Sequence, residues 1–258
     1  MNTRLPGSRR FRALGVPVDA LQMPEVIERM EQWIALRSAS HYIAVTNAHG
    51  VVVAQQDPSF KKTLESADMV IPDGMPLVWI GRRNGHRMPE RVCGPDLFAA
   101  FCQKTQAKGY SHFLYGGAPG APEALAAVLT QRYPGLRVAG MYSPPFRALT
   151  PEEDENAVRM INESGADVLW VGLGCPKQER WMYEHRDRLT VPAVIGVGAA
   201  FDFVSGRLPR APRILGDNGL EWVYRLWREP RRLWRRYLVS NSSFLFYCFQ
   251  EMLGLRRS

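Results

Sequence analysis

Apolar residues in this chain occur in two kinds of run, and the two kinds alternate. YIAVT (42–46), MVIP (69–72), HFLYG (112–116), LRVAG (136–140), DVLWVGLG (167–174) and PAVIGVG (192–198) are short and mostly apolar, with at most one charged residue or histidine each. Without an in-out alternation they read as strands buried on both faces. Between them lie stretches with helical spacing. From Pro24 onward Val26, Met30, Trp33 and Ile34 fall at i, i+4, i+7 and i+8 on one face. Helices are also predicted over 51–56, through MPLVWIG, over 122–132 and from Pro176. DPSF (57–60) starts another, with Asp57 as cap and Pro58 in the first position. TPEED (150–154) opens one with Thr150 as cap and Glu153 three residues on, a capping box. Strands separated by helices predict an α/β fold, a Rossmann-like parallel sheet with helices on both faces, over residues 16–206. Residues 1–15 read as a loose basic arm and 207–258 as a basic helical appendage.

Composition narrows the class. Of 258 residues 46% are hydrophobic and 22% charged, the balance of a globular protein with a substantial core. Cys93, Cys102, Cys175 and Cys248 are scattered with no CxxC, which argues against a disulfide framework or a zinc cluster and fits a reducing compartment. The N-terminal stretch has charge but no apolar run behind it, so it does not read as a secretory signal, and no segment has the 18 or more apolar residues of a spanning helix.

Charge is unevenly placed. Residues 207–258 carry 11 arginines against four acids, +7 of the chain's net +8. Such a tail points to a polyanionic partner: nucleic acid, an anionic membrane surface or a phosphorylated substrate. Its arginines alternate with Trp222, Tyr224, Trp227, Trp234 and Tyr237, the pattern of an interfacial membrane segment. Arg225, Arg232 and Arg235, spaced 7 and 3 apart, share one face if the helix is continuous, with Pro230 the point where it would kink. Arginine in place of lysine favours bidentate contact with phosphate.

In a parallel sheet, ligands bind beyond the carboxyl ends of the strands, and the unusual residues follow the strands. TNAHG (46–50) puts the Thr46 hydroxyl, the Asn47 amide and the His49 imidazole at one such end. Asp73, between Pro72 and an almost wholly apolar helix, is placed where desolvation raises a carboxylate pKa and suits it to general-base work on a sugar hydroxyl. Gly116 and Gly117 in GGAPG could bring backbone N–H groups near a phosphate, although GxGxxG spacing is absent. GLGCPKQE (172–179) is more specific. Gly172 and Gly174 end a strand, the helix start beside Lys177 offers N–H groups to a diphosphate, and Gln178 and Glu179 could hydrogen-bond a base or ribose. Asp202, between two phenylalanines, is either a buried structural acid or a ligand-binding carboxylate. No Asp-x-Asp, P-loop, GxSxG or HExxH occurs, so the sequence offers no metal site.

Two rival classes fit less well. A nucleotide-dependent oxidoreductase on a Rossmann-like sheet lacks its glycine fingerprint and the acid that follows it. A basic nucleic-acid-binding protein would explain the tail but not the strand-end Asp73 and Asp202, which repel phosphates.

The blocks TNAHGVVVAQQDPSF, SADMVIPDGMPLVW, RVCGPDL, FLYGG, VGLGCPKQERW, GVGAAFDFVSG and EWVYRLWREPRRLWRRYL occur in that order. In them the sequence resembles the WecG/TagA/CpsF family of bacterial glycosyltransferases from about Gly15 to Leu238. The resemblance implies metal-independent, inverting transfer of a sugar from a UDP-sugar to a polyprenyl-diphosphate-linked saccharide. The enzyme would be peripheral, at the cytoplasmic face of the inner membrane, serving cell-surface polysaccharide synthesis. It needs no cofactor, since the UDP-sugar is the donor substrate, and no nucleic-acid partner. The family's proposed base corresponds to Asp73 and its nearby threonine to Thr46. The arginines that its C-terminal appendage brings to the active site at the membrane correspond to Arg225, Arg232 and Arg235. The chain departs from the pattern by continuing past Leu238 with FLFYCFQEMLGL, which serves either membrane contact or packing on a neighbour and leaves a homo-oligomer open.

Overall fold

The structure, a computed structural model, describes residues 9–255. In chain order its elements begin with β1 (Arg10–Ala13), β2 (Val16–Asp19), α1 (Met23–Leu36), β3 (His41–Thr46), α2 (Ala48–Gln56), α3 (Pro58–Glu65), β4 (Met69–Pro72) and α4 (Met75–Arg83). Next come α5 (Gly94–Thr105), β5 (Ser111–Gly116), α6 (Ala121–Arg132), β6 (Arg137–Tyr142), α7 (Pro151–Glu163), β7 (Val168–Gly172), α8 (Lys177–His185) and β8 (Ala193–Gly196). The chain ends in four helices, α9 (Ala200–Val204), α10 (Arg213–Asp217), α11 (Glu221–Arg228) and α12 (Pro230–Met252).

Six strands form one sheet in the order β4-β3-β8-β7-β5-β6, flanked by helices, and the fold is the expected Rossmann-like α/β class. Contacts divide the chain into two compact units. The first comprises the chain up to Gln22, Ala44–Cys93 and the chain from Arg210 on; the second comprises Met23–Ile43 and Gly94–Pro209. These boundaries follow packing, and they differ from a cut of the chain at residues 15 and 206.

In the second unit, β5 pairs in parallel with β6 and β7, and β7 with β8. Every residue of β5 and β8 is buried; β8 is wholly apolar, and the two polar residues that open β5, Ser111 and His112, are both hydrogen-bonded. β6 is an edge strand with alternate residues reaching solvent, so it tolerates Arg137. Around fully buried Trp170 pack Phe98 and Phe101, and its indole N–H donates to His112 Nδ1 at 2.9 Å. That bond lets the largest apolar side chain be buried without an unsatisfied donor. α7 begins with the capping box read from the sequence: Glu153 N–H donates to Thr150 Oγ1, and Thr150 N–H to the Glu153 carboxylate.

In the first unit, residues 10–19 correct the reading of a loose arm. β1 and β2 form an antiparallel hairpin around Leu14 and Gly15, both at positive φ as a tight two-residue hairpin turn requires. The Asp19 carboxylate is buried, pairs with Arg10 at 2.6 Å and accepts Val70 N–H at 2.8 Å, which ties the hairpin to β4. The rest of the expected arm, residues 1–8, lies outside the described residues. α2 packs on α12, and α11 on α12. Among the described residues no helix is long and apolar enough to cross a membrane.

Candidate active site

The first unit contains a cavity of about 570 Å³. Its polar floor comes from two strand ends. β3 stops at Thr46 because Asn47 turns out of the strand to cap α2, its side chain accepting from His49 N–H and Gly50 N–H. β4 stops at Pro72, and Asp73 N–H donates to Thr46 C=O at 2.8 Å, so the two ends stay in register. Asn47 Nδ2 then donates to Asp73 Oδ2 at 3.2 Å. Thr46, Asn47 and Asp73, singled out from the sequence, are therefore brought together. Thr46 Oγ1 is buried with no hydrogen-bond partner, an acceptor and donor in reserve at the end of β3.

Asp73 opens onto the cavity, but protein crowds its carboxylate. Burial raises its pKa, Glu221 pushes the same way, and Arg91, Asn47 and Arg225 oppose without cancelling the rise. His49 is held near 4, first by burial and then by the positive charge of Arg236, so its ring is neutral at physiological pH; its Nδ1 lies 2.7 Å from Ser240 Oγ on α12.

The remaining walls come from α4 and the C-terminal helices: Met75, Trp79, Ile80 and Arg83 on one side, Leu220, Trp222, Tyr237, Phe244 and Leu245 on the other. Arg91, Arg225 and Arg236 add positive charge. Arg91 and Arg236 were missed by sequence reasoning. Arg91 sits in the RVCGPDL block, which is the one signal that could have found it.

The tail arginines need correction. The chain breaks at Glu229, whose non-helical backbone (φ −132°, ψ 57°) separates α11 from α12. Arg225 therefore does not share a continuous helical face with Arg232 and Arg235. Arg225 lines the cavity; Arg232 instead pairs with Glu229 at 2.6 Å, and Arg235 lies over the Trp234 ring, both exposed.

The second unit holds the other predicted residues at its strand ends. Gly116, at φ +115°, has no room for a side chain: a Cβ there would lie 2.7 Å from the Gly172 carbonyl carbon. Gly117 N–H donates to Gly172 C=O at 3.0 Å. Gln178 is buried, and its Oε1 accepts from Gly174 N–H and Gly198 N–H at 3.1 and 2.9 Å while its amide donates to buried Glu179. These contacts correct the reading of Gly117 and Gly174 as phosphate-facing N–H donors and of Gln178 as a base- or ribose-binding group, because those polar atoms fasten the loops to one another; Glu179 is buried, with Oε1 on the Gln178 amide. The helix begins at Lys177, one residue later than expected, and Gln178 N–H already donates to Gly174 C=O. Lys177 itself is exposed. Asp202 is partly exposed on α9, 3.8 Å from Arg207, and so is not a buried structural acid. Among the described residues no group of three or more His, Cys, Asp or Glu could hold a metal ion.

A buried strand-end carboxylate in a cavity with arginines and apolar walls suits transfer chemistry on an anionic, partly apolar substrate. Residues 11–258 match the sequence pattern described as Glycosyl transferase WecG/TagA/CpsF family. The chain belongs to this family. Similar proteins include the N-acetylglucosaminyldiphosphoundecaprenol N-acetyl-beta-D-mannosaminyltransferases of Bacillus spizizenii and Bacillus subtilis. The first is 29% identical over 217 residues, 84% of this chain and 82% of the relative. The second is 28% identical over 224 residues, 86% of this chain and 85% of the relative. The WecG/TagA/CpsF match extends through α12 and thus covers the segment beyond Leu238 that stood out as a departure.

Proposed function

We propose that this protein transfers a sugar from a UDP-sugar to a saccharide carried on a polyprenyl diphosphate, with Asp73 as the general base. The observation that carries the reading is the buried Asp73 carboxylate, held by Asn47 and raised in pKa, at the wall of a cavity that is both cationic and apolar. In an inverting displacement the acceptor hydroxyl loses its proton as it attacks the anomeric carbon. A carboxylate of raised pKa takes that proton more readily than an ordinary one. The nucleoside diphosphate leaves with added negative charge, and arginines can offset that charge without a metal. The names of the Bacillus relatives favour N-acetylmannosamine as the transferred sugar and an N-acetylglucosaminyl diphospholipid as acceptor.

Attachment to a membrane surface fits the same reading. α12 leaves Leu238, Leu245, Phe246, Phe249 and Met252 exposed, and Arg231, Arg232 and Arg235 of the same helix are exposed too. Apolar side chains at acyl level with arginines at the phosphates is the arrangement of an interfacial helix. The cytoplasmic face is the side on which nucleotide sugars would be met.

The test is UDP release from a panel of UDP-sugars with a short-chain polyprenyl-diphosphate-saccharide in detergent, for the parent protein and Asp73→Asn. The reading expects acceptor-dependent release that falls by roughly 10²- to 10⁴-fold in the variant. No release across the panel, or equal release by both proteins, overturns it.

A further inference from the structure

The base is not the only acid at this site. Glu221, the first residue of α11, places Oε2 2.6 Å from Arg91 Nη2, and both side chains are largely buried. Arg91 Nη1 reaches the Asp73 backbone carbonyl at 3.4 Å, and the neighbouring Val92 N–H donates to Pro72 C=O at 3.0 Å, so Arg91 is registered to the strand end that carries the base. Gly216 leaves the space the guanidinium occupies: a Cβ there would lie 2.5 Å from Arg91 Nη2 and 3.8 Å from Glu221 Oε2. The guanidinium is thus held between a glycine of α10 and a carboxylate of α11.

Without a partner, a half-buried guanidinium beside Asp73 has one obvious destination, the Asp73 carboxylate. An Arg-carboxylate pair is charge-assisted and often bidentate. Such a pair would lower the basicity of Asp73 and cover the oxygens that must receive the acceptor's proton.

We propose that Glu221 is a positioning residue for the reaction: it engages the Arg91 guanidinium and thereby keeps the Asp73 carboxylate available to the acceptor hydroxyl. The proposal rests on the assignment of Asp73 as base. Glu221 touches no substrate in this account, and it acts through Arg91 and through its own negative charge. The other groups facing Asp73 are Asn47 before α2, Arg225 on α11 and Tyr237 on α12, with the His49 and Arg236 pair beyond. None of these is an acid, so Glu221 alone among them opposes the arginines.

The test is the pH profile of acceptor-dependent UDP release by the full-length protein, for Glu221→Gln, Glu221→Asp and Asp73→Asn. The glutamine variant keeps shape and loses charge. Its acidic limb should move to lower pH by about half a unit to one unit, and its plateau should fall. The aspartate variant keeps the charge and should leave the limb in place even if the plateau falls. A glutamine variant with an unmoved limb, at any level of activity, overturns the positioning role, because a purely structural acid would not set the pKa of the base. If Asp73→Asn retains both rate and limb, the base assignment itself fails, an outcome distinct from the first. Thermal melts of each variant show whether a loss of plateau reflects unfolding, and a variant that does not fold leaves the aspartate variant to decide: a limb displaced there with the charge retained also counts against the proposal.

Discussion

Replacing Asp73 with asparagine should move activity and stability in opposite directions. Asparagine has nearly the same shape, and its carbonyl oxygen can still accept the Asn47 amide, so the hydrogen bond survives while the charge is lost. Burial raises the Asp73 pKa above its ordinary 3.8, with Glu221 adding to the rise. The folded chain therefore binds this proton more tightly than the unfolded chain. Below the unfolded pKa both states are protonated and no penalty exists. As pH rises through the folded pKa, ionising the native carboxylate costs about 1.4 kcal/mol for each unit of elevation, and the cost is complete above that pKa. Asparagine never incurs it. At pH 8 the variant should be at least as stable as the parent, gaining about 2–4 °C in Tm per kcal/mol relieved. The gap should close as pH falls toward 4. Scanning calorimetry at pH 5, 6.5 and 8, paired with UDP release at pH 8, reads both quantities on one preparation. A variant less stable than the parent at pH 8, or a gain of the same size at every pH, would refute the argument from burial. Turnover within about tenfold of the parent would refute the role as base.

Three further outcomes follow from other parts of the molecule. Gly116→Ala should destabilise by more than about 2 kcal/mol in urea unfolding, since its Cβ would meet the Gly172 backbone at 2.7 Å and its φ of +115° is disfavoured for any L side chain. Thr150→Ala, which removes one half of the capping box on α7, should cost about 1 kcal/mol by the same measurement and leave kcat/KM unchanged. Arg236→Ala should lower kcat/KM for a detergent-dispersed acceptor by roughly tenfold or more, while Arg232→Ala should stay within about twofold, because Arg236 lines the cavity and Arg232 pairs with Glu229 in solvent.

The parallel sheet was legible because its central strands are buried on both faces, and burial on both faces leaves few polar positions in a run. β8 is buried and apolar from end to end, and β5 confines its polar residues, Ser111 and His112, to its start. The capping box on α7 and the cap at Asp57 were legible because a cap is local: the residues that satisfy each other are two or three apart. The β1-β2 hairpin was not legible. Its strands are four residues each, two arginines stand in the first, and its turn is Leu14-Gly15 with no Asn-Gly or Asp-Gly signal. What holds it is Asp19 reaching Val70, 51 residues away, and no local pattern contains that bond.

The same distinction explains the candidate site. Asp73, Asn47 and Thr46 could be picked out because strand order alone sends their backbone positions to one edge. Gln178 was picked out for the same reason, but from the sequence its amide was as free to meet a ligand as to tie Gly174 to Gly198; only the coordinates of both glycines decide for the tie. The arginines depended on helix phase, which is fragile. One non-helical residue, Glu229, resets the rotation between α11 and α12, and a face drawn across residues 225–235 as one helix carries that error into every position after the break. Arg236, a single residue beyond the expected Arg235, lines the cavity, whereas Arg235 lies over Trp234. A step of one residue turns a helical side chain by about 100°, so which arginine lines this cavity depends on a phase that the sequence does not fix. Glu221 escaped for a deeper reason: an acid in a basic tail reads as a solvated exception until its partner, 130 positions earlier in the chain, is seen to lie beside the base.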